Sequence, residues 1–139
     1  MSHLTELAIA EDVLEGIIAR AKHNRHSEIV GMLAGALGGV AVKDFELPNV
    51  LDGPADFLAD PYAQFLAERA IALEGSTVLA LYHSHPLGDA TFSDIDARFA
   101  AGWDCPHLVV GLSPAVEYKA YAVHSSGRVV QVPVRSIAK

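Results

Sequence analysis

The chain has 139 residues, 51% of them apolar and spread along its length, which fits one compact domain over residues 1–139 and excludes a disordered polymer or two ordinary domains. Ten Lys and Arg against 17 Asp and Glu leave a net charge of -7, so phosphate backbones are repelled and nucleic acid is excluded as a partner. Cys105 is the only cysteine, which rules out an internal disulfide and a four-thiolate zinc site; any metal must be held by His and carboxylate.

No apolar run approaches the roughly 18–20 residues that span a bilayer, and the N-terminal stretch is acidic where a secretory signal is basic and then apolar. A cytoplasmic protein without membrane contact is expected. Residues 11–25 place Val13, Leu14, Ile17, Ile18 and Ala21 on one stripe at helical spacing, acidic at the start and basic at the end, which predicts a helix packed on one face. Residues 28–37 and 38–47 read as two strands joined at Gly38 and Gly39, with Glu28 opening the first. Gly31 and Gly35 inside that strand mark close approach by another group, through packing or by a substrate tail. Residues 48–60 contain two prolines and a glycine, break the periodicity, and form a loop with at most a short strand.

Asp60 as N-cap and Pro61 at the first helical position open a second helix that stops at Gly75, with Phe65, Leu66, Ile71 and Leu73 expected to face the core. A buried strand over residues 77–85 is closed by Pro86, which cannot donate to a ladder. A polar turn leads to a short helix over 93–102 with Ser93 as its N-cap, and residues 107–112, 116–124 and 128–134 complete the strands. Interleaved strands and helices with two hairpins predict an α/β fold: a mixed sheet flanked by helices.

The chemistry is concentrated in residues 83–96, HSHPLGDATFSDID. On a strand, positions i and i+2 share a face, so His83 and His85 can present two imidazoles side by side. Such a pair also occurs as two ordinary surface histidines, and Ser93-x-x-Asp96 is also a capping pattern satisfied by local hydrogen bonds. Together they say more. The loop after Pro86 is long enough to fold the helix start back over the histidines, and two imidazoles with one carboxylate leave a tetrahedral zinc one open position.

The spacing His83-x-His85-Pro86-x6-Ser93-x2-Asp96, with the upstream acid in Glu28-Ile29-Val30-Gly31-Met32-Leu33, resembles the JAMM motif of MPN-domain metallopeptidases. All five polar positions are filled, and the similarity covers nearly the whole chain. The resemblance implies the MPN, cytidine-deaminase-like architecture, with His83, His85 and Asp96 ligating Zn²⁺ and water in the fourth position. It further implies Glu28 as general base and acid, and Ser93 as hydrogen-bond donor to the oxyanion. Family members cut peptide or isopeptide bonds after the diglycine tail of ubiquitin or ubiquitin-like proteins. Without long insertions, a ubiquitin-like sulfur carrier with a Gly-Gly tail, or its adduct, is the expected partner. The alternatives are a catalytically silent MPN scaffold, in which ligand positions are typically lost, and a zinc hydrolase of small amides.

Cys105 is expected to be a small buried hydrophobe, and His107, His124, His3, His23 and His26 to be satisfied structural histidines outside any motif and not ligands. Trp103, Tyr62 and Phe65 are expected in the core or at an interface. The short apolar chain is compatible with a homodimer.

Overall fold

The computed structural model describes residues 5–54, 56–94, 96–97 and 103–138. Its elements in chain order are β1 (Leu7–Ala10), α1 (Glu11–His23), β2 (Val30–Gly35), β3 (Lys43–Leu47), α2 (Pro61–Leu73), β4 (Thr77–His85), β5 (His107–Gly111), β6 (Glu117–Val123), β7 (Val129–Val132) and β8 (Val134–Ile137). Six strands make one mixed sheet in the order β3-β2-β4-β5-β6-β7, in which only β4 and β5 run parallel. The expected mixed sheet flanked by helices is what forms. Among the described residues no helix is long and apolar enough to cross a membrane.

The period of two along each strand sorts the side chains between two layers. On one face α1 buries Leu14, Ile17 and Ala21 against Leu33, Ala80, Tyr82, Leu108 and Val110. Each fully buried Leu, Ile or Val of this kind contributes about 1.5–3 kcal/mol. On the other face α2 sets Ala67 over Val30, Met32 and Phe57, with Leu81 and Trp103 packed alongside. In β4 this alternation sends Ala80, Tyr82 and Ser84 toward α1 and leaves Leu81, His83 and His85 on the α2 side. Gly31 has no side chain because the Tyr82 ring lies where its Cβ would be. Both strand glycines are absorbed by packing, since Gly35 faces the Val40 carbonyl in the same way.

Three expectations are corrected. Glu28 does not open the strand but lies two residues ahead of β2, its backbone N–H donating to the Gly53 carbonyl at 2.9 Å. In α2 the side facing the sheet carries Ala63, Ala67 and Ile71, whose spacing of four holds one stripe, while Phe65, Leu66 and Leu73 fall on the exposed side with Tyr62. Small residues let the helix lie close to the sheet, and the large ones are left outside. The strand expected over 128–134 is two strands: Pro133 lacks the N–H to continue the ladder, and β8 leaves the main sheet to pair in parallel with β1. Of the helix expected over 93–102, Asp94, Asp96 and Ala97 are helical, and residues 98–102 lie outside the described residues.

Candidate metal centre

His83 and His85 close β4, and their Nε2 atoms lie 3.0 Å apart. The Asp96 carboxylate meets both, with Oδ1 at 3.1 Å from His83 Nε2 and Oδ2 at 3.2 Å from His85 Nε2. Three donors thus converge on one point. Lone pairs from two imidazoles and a carboxylate repel each other unless a proton or a cation lies between them, so this donor set fits a metal ion. Its nitrogen and oxygen composition suits zinc.

The surrounding backbone fixes this convergence. His85 Nδ1 is 2.8 Å from the Asp89 carbonyl, which can only accept, so that nitrogen carries the proton and Nε2 is turned to the site. Ser84, the middle residue of the His-Ser-His run, points the other way and accepts from the Ile29 N–H at 2.9 Å, while its own N–H donates to the Ile29 carbonyl at 3.1 Å. That double tie brings Glu28 alongside the histidines: one ligand atom from each of Glu28, His83 and His85 lies within 4.8 Å of the others. Asn49 holds the far side, donating to the Glu28 carbonyl at 3.0 Å and accepting from the Leu58 N–H at 2.9 Å. Beyond β4 the chain passes directly over Gly111, where a Cβ would collide with the Asp89 and Ala90 backbone. Tyr121 Oη donates to the Ala90 carbonyl at 2.6 Å and Glu117 accepts from the Ala90 N–H at 2.8 Å, pinning the loop that delivers Ser93 and Asp96.

Ser93 and Asp96 form a reciprocal cap: the Ser93 hydroxyl oxygen accepts from the Asp96 N–H at 3.0 Å, and Asp96 Oδ2 accepts from the Ser93 N–H at 2.9 Å. The capping expectation is met, and the same carboxylate also faces the two imidazoles. An open cavity of about 260 Å³ lies in front, with Glu28, Asp56, His85, Leu87, Ser93 and Asp96 in its wall. All five residues of the motif are therefore at one site.

Electrostatics divides the two carboxylates. Burial opposes the charged form of Asp96, but in the metal-free protein Nε2–H hydrogen bonds from His83 and His85 outweigh it and hold the acid far below its ordinary value. Glu28 is 5% exposed, and its Oε1 has no hydrogen-bond partner among the described residues. Burial pushes its carboxyl from 4.5 up to about 8; His85 opposes this and the Asp96 and Asp56 charges add to it. For His85, burial is overcome by the Asp96 and Asp89 hydrogen bonds and nearby negative charge, and its value rises; His83 and His107 are held down by burial.

A pH dependence follows for the metal-free protein. Between 4.5 and about 8 the folded chain keeps a Glu28 proton that the unfolded chain releases, so stability falls as pH rises through that window. Between pH 6.5 and 8.5 the chelated wild type should lose more melting temperature than a chelated Glu28→Gln variant, by at least about 3 °C, or about 1 kcal/mol. Parallel slopes for the two proteins in a thermal scan would contradict the burial of that carboxyl.

Three residues at the site were not expected there. Ser84 and Asn49 act through the backbone of distant segments, and no local pattern marks them. His107, expected to be a structural histidine outside the site, is buried against His83. His23, His26 and His124, expected to be structural, are exposed instead, and His3 lies outside the described residues. Cys105 is the buried hydrophobe expected, its thiol pushed up to about 12 by burial.

The family model described as prokaryotic homologs of the JAB domain matches residues 10–124. A protein of Thermus thermophilus described as a probable TtuB-protein conjugate cleaving protease is 36% identical over 110 residues, which is 78% of this chain and 72% of that one. A solution structure from Desulfitobacterium hafniense superposes with a TM-score of 0.79 at 25% identity, covering 96% of this chain and 92% of that one. A JAB1/MPN domain protein of Archaeoglobus fulgidus gives a TM-score of 0.59 at 19% identity, covering 93% of this chain and 97% of that one; it supports the fold alone.

Proposed function

The chain belongs to the family of prokaryotic homologs of the JAB domain, and from that premise we propose that it is a zinc-dependent peptidase of the cytoplasm that cuts the peptide or isopeptide bond following the diglycine tail of a ubiquitin-like or sulfur-carrier protein. The observation that carries this is the convergence of His83, His85 and Asp96 beside a buried, unpartnered Glu28 at an open cavity. The substrate class is supported by the Thermus relative, described as a cleaving protease of TtuB-protein conjugates.

His83, His85 and Asp96 would hold the zinc, which would supply Lewis-acid chemistry: a polarised scissile carbonyl and a water acidic near neutral pH. Glu28 takes the proton from the attacking water, and its Oε1, free of protein partners among the described residues, is available to do so. The same carboxyl then passes the proton to the leaving amine. The Ser93 oxygen is already occupied by the Asp96 N–H, which leaves its hydroxyl proton to donate to the carbonyl oxygen as that oxygen gains charge. Phe57, stacked on His83 with ring centroids 4.4 Å apart, keeps bulk water from one side of the imidazole.

Ser93→Ala should reduce turnover by roughly 10²- to 10³-fold as an oxyanion donor and, as a lost cap, lower stability by about 1 kcal/mol. Steady-state rates and a melting curve on the same preparation separate the two effects; a shifted midpoint with an unchanged rate leaves Ser93 a cap only. For the reaction itself, a ubiquitin-like carrier extended or conjugated beyond Gly-Gly should be cut after the second glycine, as read by mass spectrometry of the products. Turnover of small amides with every tailed carrier left intact would overturn the assignment in favour of a small-molecule hydrolase.

A further inference from the structure

We propose that His107 is a positioning residue for the metal site, its Nε2 accepting the hydrogen bond from His83 Nδ1–H and so committing the opposite nitrogen of His83 to the metal. This rests on the zinc reading above. In the parallel register of β4 and β5, His107 lies opposite Leu81 and His83 opposite Val109, which places the His107 side chain diagonally beside His83 on the same face. The two nitrogens are 2.8 Å apart, the rings nearly perpendicular at 84°, and both residues are buried, His83 at 0% and His107 at 2% exposure.

Two imidazoles sharing one hydrogen bond admit two directions. If His107 donates, His83 must carry its own proton on Nε2 and cannot ligate. If His83 donates from Nδ1, its Nε2 lone pair faces Asp96 and His85, and the His107 proton sits on Nδ1. Only the second direction is compatible with a metal. In either case His107 Nδ1 has no partner among the described residues, and the Phe57 and Phe92 ring centroids lie 6.3 and 5.4 Å from the centroid of the His107 ring. An unpartnered buried nitrogen is costly where an apolar side chain would fill the same space. Packing alone does not account for a histidine here, whereas orienting His83 does. An imidazole acceptor also performs this task without adding a third negative charge to a site that already holds Asp96 and Glu28.

The test is zinc affinity, measured by competition with a chromogenic chelator, for the wild type, His107→Leu and His107→Gln. Loss of a partner behind a metal ligand typically costs about 10- to 100-fold in affinity, and His107→Leu should fall in that range while its metal-free form melts no lower than wild type. His107→Gln, whose amide oxygen can accept from the same His83 nitrogen, should recover most of the loss. Equal zinc affinity in wild type and His107→Leu overturns the proposal, as does an equal loss in both variants accompanied by lower melting points, which would mean packing alone. Absence of zinc binding in the wild type would instead overturn the metal reading itself, and this inference with it. Ring ¹⁵N spectra of the zinc-loaded wild type give a readout independent of any variant: the proposal requires His107 protonated at Nδ1, and protonation at Nε2 contradicts it.

Discussion

Glu28→Gln should bind zinc and fold like the wild type while turnover falls by at least about 10²- to 10⁴-fold, the usual contribution of a general acid-base group. The amide keeps the size of the carboxyl and can still hydrogen-bond, but it cannot take a proton from water at neutral pH. Because Glu28 is assigned to proton transfer, the loss should appear in kcat more than in KM. The variant should also shed the pH sensitivity of the metal-free form, since the group that burial pushes to about 8 has been removed. Bound zinc acts in the opposite direction, favouring the charged carboxylate, so loading the wild type should flatten its stability profile across the same pH window. Cleavage by Glu28→Gln at the wild-type rate would end the proposed mechanism even with the zinc site intact.

Asp96→Ala should have the broader effect, because one carboxylate serves three neighbours: His83, His85 and the Ser93 N–H. Loss of a partner behind a ligand typically costs about 10- to 100-fold in metal affinity, and loss of a ligand should exceed that. Turnover should drop to that of chelated wild type, with added stability loss from the opened cap. The two variants differ in kind: Glu28→Gln is zinc-loaded and inactive, Asp96→Ala zinc-poor and inactive. Zinc content after dialysis, measured beside the rate, distinguishes them. Full metal occupancy in Asp96→Ala would remove Asp96 from the ligand set and turn attention to Glu28, whose oxygen lies within 4.8 Å of both imidazole donor atoms.

The part of the site carried on one short stretch was legible in the sequence. His83, His85, Ser93 and Asp96 fall within a strand, a turn and a helix start, and strand period and capping chemistry both act at that range. Glu28 is brought to them across the β2–β4 pairing, and only the family resemblance linked it to the motif. Ser84, Asn49 and His107 had no such link. Ser84 matters through the Ile29 backbone, Asn49 through a loop it organises from within, and His107 through a parallel register that no sequence pattern near residue 107 encodes. The misjudged face of α2 has a different origin. Size and hydrophobicity favour large apolar side chains for the core, whereas the helix comes close to the sheet through Ala63 and Ala67 and leaves Phe65 and Leu73 outside. Pro133 falls inside a mostly apolar run that has the composition of a strand, but its missing N–H ends β7 and sends the chain to β1.

The central claim is that His83, His85 and Asp96 hold a metal, and zinc stoichiometry of the purified protein tests it most directly. Elemental analysis should find close to one zinc per chain in the wild type, as expected of a three-ligand nitrogen and oxygen site, and background levels in a His83→Ala, His85→Ala double variant that retains its fold. Zinc in the wild type no higher than in that double variant would contradict the account.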